Sequence, residues 1–376
     1  MKIALISTSP PYRGGISDHN KGLYNNLSKN NSVKIFSFYY LYPKLFFPGK
    51  SQKFSNNKNH QNTHYTISTI NPLSWTKTVN SILEFNPDLV IFSYWNPFVG
   101  VSLGSIAKQL KRKIGNEKLI SICHNIQPHE NNIIDTQLIK YYTKSFKKFI
   151  FMSSFVKDEL KTFKDNFKSV IRFLPIDINY QPKLDKISIR LEKGYFPDDN
   201  LILFTGLIRP YKGLDNLLHG VNDYLKNNTN SKLIIAGEAY ESLKKYKAII
   251  DEYGITNQVI WINKFLSNLE IEKLMIMSDL LVLPYHSASQ SGIMSQSWQY
   301  NLPTIVNNVG GLSEYVNDNK SGYVIHDNSI SSLKEKINKF FNSNDKIEMP
   351  QYIASNKQNF SWDYYISGIW EHINES

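Results

Sequence analysis

Short apolar runs alternate with stretches of helical character along the whole chain, and this alternation constrains the fold more than any other feature. Leu280–Leu283 is typical, because a four-residue apolar run between polar flanks favours a buried parallel strand over a helix. The predicted strands are residues 2–7, 33–38, 89–93, 119–123, 148–152, 169–174, 201–205, 232–236, 258–262, 280–283, 304–307 and 322–325. The pattern predicts an α/β protein with doubly wound parallel sheets.

The length of 376 residues is too great for one hydrophobic core and suits two domains. A segment rich in Pro, Asp and Lys begins at Pro175 and runs to about Phe196. We therefore predict a first domain over residues 1–180, a linker over 181–198 and a second domain over 199–358.

Cysteine usage and hydropathy indicate a cytoplasmic protein. The single cysteine, Cys123, excludes an internal disulfide and fits a reducing compartment. The apolar start of the chain is interpreted as a first strand and not a signal peptide, because Pro10, Pro11 and Arg13 follow it at once. No run of about 18 apolar residues occurs, so no transmembrane helix is predicted.

The net charge of +11 is concentrated in the first part of the chain. Residues 1–180 hold 24 Lys and Arg against 10 Asp and Glu, whereas the remainder holds 19 against 22. The basic runs 108–113 and 140–148 suit an anionic membrane surface, with peripheral attachment, or a phosphorylated acceptor. The alternative is a solvated lysine-rich face. Nucleic acid is not predicted as a partner, because no nucleic-acid-binding motif accompanies the charge.

A loop rich in small residues follows the strand 280–283. Gln290, Ser291 and Gly292 present accessible backbone N–H groups just before a helix predicted over 293–300, and such a helix start favours a diphosphate. The alternative is an ordinary serine N-cap. Further on, Gly310 and Gly311 follow the strand 304–307, and Glu314 provides a carboxylate that suits a ribose diol.

Two cations lie in the loop after the strand 201–205. Gly206 opens this loop, and Arg209 and Lys212 follow within it. Forked donors from the arginine and a point charge from the lysine suit a diphosphate leaving group. The alternative is a surface Arg and Lys after a turn. Glu238, which follows the next strand, is a further candidate for the same ligand.

The loop after the first strand carries Gly14 and Gly15 at a helix start, with Asp18 one turn further on. The spacing is not G-x-G-x-x-G, so no dinucleotide fingerprint is present. The two glycines bring backbone donors to a phosphate or to hydroxyl groups. Asp18 either points at the ligand or complements the helix dipole. Trp95, after the strand 89–93, is either a sugar-stacking residue or a core aromatic.

His124 immediately follows the strand 119–123, where the switch-point crevice of a doubly wound sheet lies. His129 and Glu130, further along this segment, form either a metal pair or a structural hydrogen bond, but no third ligand is evident. No Asp-x-Asp occurs in the chain, so we predict no metal site and no cofactor.

Several of these motifs together resemble the family-4 retaining glycosyltransferases of the GT-B fold. They are N-x-P-T-I-V over 301–306, V-G-G-L-x-E over 309–314, H-N-x-x-P-H-E over 124–130, and a loop similar to R-x-x-x-x-K-G that ends at Gly213. The resemblance implies two Rossmann-like domains facing a central cleft, with a terminal helix, 359–376, crossing back to the first domain. It also implies that His124 contacts the transferred sugar and that the Gly14–Gly15 loop faces the cleft.

The sequence departs from the family pattern at two places. Leu207 occupies the usual arginine position, and Arg209 lies two residues later. The family typically carries two glutamates eight positions apart, where this chain has Ala288 and Gln296. Neutral donors at 290–292 would then replace the lost contacts.

The expected function is retaining transfer of a hexosyl unit from a nucleoside-diphosphate sugar to a glycan or a lipid-linked saccharide, in bacterial surface polysaccharide synthesis. The alternatives are a nucleotide-sugar epimerase of the same fold and a non-catalytic carbohydrate-binding subunit. The predicted catalytic residues are His124, Arg209 and Lys212. The predicted donor-binding residues are Gly14, Gly15, Gly206, Glu238, Gln290, Ser291, Gly292 and Glu314, and the acceptor-binding residues are Asp18 and Trp95.

Overall fold

The chain divides into two compact units. The computed structural model describes residues 1–43, 52–53, 60, 62–127 and 133–374. The first unit comprises Met1–Pro175 together with the C-terminal residues from Trp362, and the second comprises Ile176–Ser361. We call them the first domain and the second domain.

The first domain is built on a parallel sheet of seven strands within the described residues, in the order β3-β2-β1-β4-β5-β6-β7. The strands are β1 (Lys2–Ile6), β2 (Ser32–Tyr40), β3 (Thr63–Ser68), β4 (Leu89–Tyr94), β5 (Leu119–Cys123), β6 (Lys148–Phe151) and β7 (Lys168–Ile171). The helices are α1 (Gly15–Leu27), α2 (Pro72–Phe85), α3 (Pro97–Ile114), α4 (Ile133–Thr143), α5 (Ser154–Lys161) and α13 (Trp362–Asn374).

Both faces of this sheet are covered, which explains why its inner strands β1, β4, β5 and β6 are buried and mostly apolar rather than alternating. Along β1, Ala4 and Ile6 pack into the core cluster that includes residues of α2 and α3. Ile3 and Leu5, which point to the opposite face, pack into the cluster that includes residues of α1 and α13. The C-terminal helix is therefore part of the hydrophobic core of the first domain.

The second domain contains a parallel sheet of six strands in its described residues, in the order β10-β9-β8-β11-β12-β13. The strands are β8 (Asn200–Thr205), β9 (Ser231–Ala236), β10 (Val259–Ile262), β11 (Leu280–Leu283), β12 (Thr304–Asn307) and β13 (Gly322–Ile325). The helices are α6 (Lys186–Glu192), α7 (Leu214–Asn227), α8 (Lys244–Tyr253), α9 (Asn268–Met277), α10 (Gly292–Gln299), α11 (Ile330–Asn342) and α12 (Asp345–Asn356).

The segment 181–198, predicted as a linker, is a packed part of the second domain. Helix α6 lies within it, and Arg190 on this helix is 2% exposed. The Arg190 guanidinium donates from Nη2 to Asp279 Oδ2 at 2.8 Å and from Nε to the Met277 carbonyl at 2.8 Å. A buried ion pair of this kind ties α6 to the segment that joins α9 and β11.

No helix among the described residues is long and apolar enough to span a bilayer.

Candidate functional site

The strand order of the second domain places a switch point between β8 and β11. The sheet winds one way from β8 to β9 and β10, and the other way from β11 to β12 and β13. In open sheets of this kind, ligands bind beyond the carboxyl ends of the two strands at which the winding reverses. Here those strands end in the loop 206–213, after β8, and the loop 284–291, after β11.

Backbone contacts hold these two loops together. The His286 N–H donates to the Tyr211 carbonyl at 2.7 Å. Gly213 has φ of +65°, and a Cβ at this position would lie 2.0 Å from the Pro284 carbonyl oxygen. Only glycine permits this approach, since both the conformation and the space exclude a side chain.

Lys212 is buried between the two loops, with 8% of its surface exposed. Its Nζ lies 2.7 Å from the point where a Cβ on Gly206 would stand, and Ile293, on the first turn of α10, lies 4.0 Å from the same point. Lys212, Gly206 and the start of α10 therefore meet at the switch point. The Lys212 Nζ also lies 5.1 Å from the centre of the Tyr285 ring.

The charge of Lys212 is not neutralised by any carboxylate that the structure describes within ion-pair distance. Burial lowers the pKa of its ammonium group, and the neighbouring charge of Arg209 lowers it further. A buried cation without a counter-ion is unfavourable in the free protein. The position is therefore suited to an anionic ligand, which would restore the pKa of Lys212 and remove this cost.

Arg209 immediately precedes the short 3-10 turn Pro210–Lys212 and is half-buried. Its Nε is buried without a hydrogen-bond partner in the described part of the chain, and its guanidinium carbon lies 5.1 Å from the centre of the Tyr240 ring. The Tyr240 hydroxyl in turn donates to Glu238 at 3.5 Å. Arg209 and Glu238 thus both contact Tyr240, and Arg209 retains donor capacity for a ligand.

Helix α10 begins with its first amide groups uncovered. Ser291 occupies the N-cap position without a side-chain capping bond, and in the described part of the chain a Cβ on Gly292 would meet no atom within 4 Å. Gln290 is half-buried, with an Oε1 for which the described residues provide no partner. The arrangement leaves backbone donors available at a helix N-terminus, as anion binding requires.

The loop after β11 is also held by residues that follow β12. The side-chain amide of Asn307 donates to the Tyr285 carbonyl at 3.0 Å, and the Gly311 N–H donates to the Ala288 carbonyl at 3.2 Å. Glu314 lies half-buried in the 3-10 turn Ser313–Tyr315, just beyond this contact. The three loops that follow β8, β11 and β12 therefore form one connected structure.

The first domain places His124 directly after β5. Its backbone N–H donates to the Tyr94 carbonyl at 2.8 Å, and its ring is buried with Nε2 unpartnered among the described residues. Burial lowers the pKa of His124 to about 3. The imidazole is therefore neutral at physiological pH and offers one donor and one acceptor.

Gly14 and Gly15 lie at the start of α1. Gly14 has φ of +108°, and Cβ atoms on either residue would meet no atom of the described residues within 4 Å. No side chain caps this helix start, and Asp18 is exposed in its first turn. The described residues therefore leave this backbone uncovered, and its contact with a ligand stays a prediction.

Trp95 serves the core of the first domain. Its indole N–H donates to the Tyr42 hydroxyl at 2.9 Å, and its ring packs edge to face against Phe38 with the centroids 6.1 Å apart. Of the two interpretations of Trp95, these contacts favour the core aromatic over the acceptor-binding residue. The alternative metal pair, His129 and Glu130, lies outside the described residues. Among the residues that are described, no three His, Cys, Asp or Glu side chains form a group that could hold a metal ion.

Comparison with known proteins identifies the class of this site. Residues 185–360 match the family model of the glycosyl transferases group 1, a range that covers nearly all of the second domain. The second domain is therefore similar to the group 1 glycosyl transferases. The reaction class predicted from the sequence is thereby confirmed as glycosyl transfer.

Proteins that are similar to the whole chain or to half of it are also glycosyltransferases. Two uncharacterized glycosyltransferases of Methanocaldococcus jannaschii are 25% and 22% identical to it, with 98% and 99% of this chain and 97% and 96% of their own lengths covered. A D-inositol 3-phosphate glycosyltransferase of Nocardia farcinica is 25% identical over 51% of this chain and 44% of its own.

Solved structures share the fold at low identity. The HepE protein of Anabaena, solved in complex with UDP, superposes with a TM-score of 0.76 and 15% identity over the whole of both chains. Sucrose-phosphate synthase from Thermosynechococcus elongatus superposes with a TM-score of 0.74 and 14% identity over 100% of this chain and 98% of its own. These similarities and the two parallel sheets confirm the predicted GT-B fold.

In the second domain, the two positions at which the family resemblance leads us to expect glutamates are neutral. Ala288 is buried and accepts a backbone hydrogen bond. Gln296 lies on α10, and its Oε1 is buried without a partner in the described structure. At the second of these positions the second domain therefore has an amide where the resemblance predicts an acid.

Glu159, on α5 of the first domain, lies beside the segment that carries His124, although no sequence pattern points to it. Burial raises the pKa of Glu159 to about 7, and a hydrogen bond from the Ile126 N–H opposes this shift. Its Oε2 is buried without a partner in the described structure. No motif marks this residue, because its environment arises only when α5 packs near the end of β5.

We predict that Glu159→Gln makes the first domain more stable at pH 8 and leaves its stability nearly unchanged at pH 4. A carboxyl whose folded pKa is raised contributes stability below its unfolded pKa of about 4.3, and that stability is lost as pH rises through the folded pKa. Glutamine stays neutral at both pH values. Thermal unfolding at the two pH values measures the effect, with Asp158→Asn on the exposed neighbour as control. An equal shift at both pH values would contradict the assignment.

Proposed function

We propose that this protein transfers a hexosyl unit from a nucleoside-diphosphate sugar to a saccharide or lipid-linked acceptor, with retention at the anomeric carbon. The observation that carries the proposal is the positive charge of Lys212, which no described carboxylate neutralises and which is buried beside Gly206 and the uncapped start of α10. A departing nucleoside diphosphate supplies the anion that this charge lacks.

The proposed roles follow from this charge. Arg209 and Lys212 stabilise the negative charge that develops on the diphosphate, and the backbone donors of Gln290, Ser291 and Gly292 assist them. Preorganised donors aimed at developing charge usually lower the activation barrier more than any other single effect. The two cations perform the task that a divalent metal performs in other transferases, so we propose that the reaction needs no metal.

The remaining contacts are assigned to the sugar, the ribose and the acceptor. The neutral imidazole of His124 accepts from or donates to a hydroxyl of the transferred sugar. Glu314 binds the ribose, and Gly206 and Glu238 complete the donor side. Gly14 and Gly15 present backbone N–H groups to the nucleotide sugar, and Asp18 binds the acceptor.

The names of similar proteins indicate which donor to test first. The HepE protein of Anabaena was solved with UDP and with UDP-glucose. We therefore propose a UDP-sugar as the first candidate, with GDP-, ADP- and dTDP-sugars as alternatives. We also propose that the basic residues in the first 180 positions bring the protein to the anionic inner face of the cell membrane, where lipid-linked acceptors of bacterial surface polysaccharides lie.

A donor screen tests this function. A cognate nucleotide sugar at a hundredfold excess over its Kd should stabilise the protein by about 2.7 kcal/mol, measured as a rise in the thermal midpoint. Incubation with that donor and a saccharide acceptor should then yield a product with the donor's anomeric configuration, read from proton coupling constants by NMR. A new nucleotide sugar formed without acceptor would instead indicate an epimerase. Donor binding without turnover would indicate a non-catalytic subunit.

A further inference from the structure

A second histidine lies against His124 in the first domain. His19, on α1, is 7% exposed, and its ring meets that of His124 edge to face, with the centroids 4.9 Å apart and the planes at 83°. His19 lies one turn after the open Gly14–Gly15 backbone. The two imidazoles therefore come from different elements, α1 and the end of β5.

The C-terminal helix encloses His19 from other directions. Trp362 stacks on the His19 ring with the centroids 5.7 Å apart, and Tyr365 meets it edge to face at 5.1 Å. Trp362 fits here because Gly22 has no side chain: a Cβ on Gly22 would lie 2.2 Å from the indole. The His19 ring is thus fixed by three aromatic contacts.

Among the described residues, ring packing and not hydrogen bonding holds His19 against His124. Burial lowers the pKa of His19 well below its ordinary value, and the neighbouring His124 lowers it further. The pKa of His124 is lowered by burial as well, so both rings are neutral. Neither nitrogen of His19 has a hydrogen-bond partner within the described residues. Ring packing is therefore the means by which α1 can fix the orientation of His124.

We propose that His19 is a positioning residue, whose ring holds the imidazole of His124 in the orientation that the reaction requires, and that α13 fixes His19 through Trp362. The proposal rests on the proposed function, in which His124 contacts the donor sugar. Loss of the His19 ring leaves space beside His124, and its imidazole then samples several rotamers. Misorientation of a group that acts on the transition state lowers kcat more than it raises the KM for the donor.

Three variants test the ring contact. His19→Ala should lower kcat at least tenfold, with the KM for the donor changed less than twofold. His19→Phe refills the space with a ring and should recover most of the lost kcat. Trp362→Phe, which loosens the stack from the other side, should lower kcat by a smaller factor. His64→Ala is the matched control, because His64 also stacks on an aromatic ring of the first domain, that of Phe36 at 5.4 Å, but lies on β3.

A measurement without substrate separates this proposal from the proposed function. The imidazole ¹⁵N signals of His124, assigned with His124→Gln, should be single and sharp in the wild type, His19→Phe and His64→Ala, and broadened or doubled in His19→Ala. If the wild type transfers no sugar but His19→Ala disturbs these signals, the positioning role stands and the proposed function fails. Unchanged kcat and unchanged signals in His19→Ala would overturn the proposal. So would a His19→Phe protein of normal thermal midpoint that is as inactive as His19→Ala.

Discussion

Replacement of Lys212 by alanine is expected to lower the turnover of glycosyl transfer by about 10²- to 10³-fold, the effect of removing one preorganised donor from a site of developing negative charge. The Nζ of Lys212 lies at the switch point beside Gly206, and no described carboxylate competes for it. Initial rates with the cognate donor measure the loss.

The stability of the Lys212 variant distinguishes a binding role from a structural one. A buried ammonium group without a counter-ion costs free energy in the ligand-free protein, so Lys212→Ala should leave the thermal midpoint unchanged or raise it. Lys226→Ala is the matched control, because Lys226 also lies over a tyrosine ring, that of Tyr253 at 5.0 Å, but is exposed at the end of α7. Full turnover in Lys212→Ala would remove this lysine from the catalytic role, and a lower thermal midpoint together with full turnover would make its role structural.

Replacement of Asp279 by alanine is expected to lower the free energy of unfolding of the second domain by about 3–5 kcal/mol, the range for breaking a buried ion pair. Asp279 is 3% exposed. Its Oδ2 accepts from Arg190 Nη2 and from the Leu201 N–H, both at 2.8 Å, and its Oδ1 accepts from Lys186 Nζ at 2.6 Å. The variant leaves the buried guanidinium of Arg190 and a strand amide without these acceptors.

The effect of Asp279→Ala should depend on pH. Burial acts to raise the pKa of Asp279, but the charges of Lys186, Arg190 and Lys346 together hold it below the ordinary value. A lowered folded pKa means that the stability is present above the unfolded pKa of about 3.9 and is lost as pH falls through the folded pKa. Urea unfolding at pH 7 and pH 3 should therefore show a smaller difference between variant and wild type at the lower pH.

An exposed aspartate provides the control for this experiment. Asp158 pairs with Lys161 on α5, with more than half of each side chain exposed. Asp158→Ala should change stability by less than about 1 kcal/mol, as is usual for surface ion pairs. If Asp279→Ala changed the unfolding free energy no more than this control does, the cluster would not hold α6 in place.

The sequence predicts the sheets better than the helices. Strands β5, β11, β12 and β13 have the predicted bounds, because each is a short apolar run that is buried on both faces. Helix α3 is not predicted, although Asn96 caps it and Pro97 begins it, because the residues around Trp95 suggest only a strand end facing a ligand. Helix α12 is also not predicted, because Pro350 in its interior argues locally against a helix.

Within the site, the sequence locates the loops but not the environment of their side chains. Gly206, Lys212 and Gly292 are candidates because small residues and cations follow parallel strands, and the structure brings Gly206, Lys212 and the first turn of α10 together. Trp95 also follows a parallel strand and is a candidate for the same reason, but its indole is used in the core of the first domain. Position along a strand predicts which edge a residue reaches and not which way its side chain turns.

Residue type and spacing are enough to establish the alternation of strands and helices, the loops at the carboxyl ends of the strands and the charge of Arg209 and Lys212, because these are local properties. Three other features depend on tertiary packing: the burial of Lys212 without a carboxylate among the described residues, the ion pair that makes 181–198 part of a domain, and the contact of His19 with His124. Arg190 and Asp279 lie 89 positions apart, and the two histidines lie further apart still. Local spacing carries no information about which distant elements pack together, so these contacts become visible only in the folded chain.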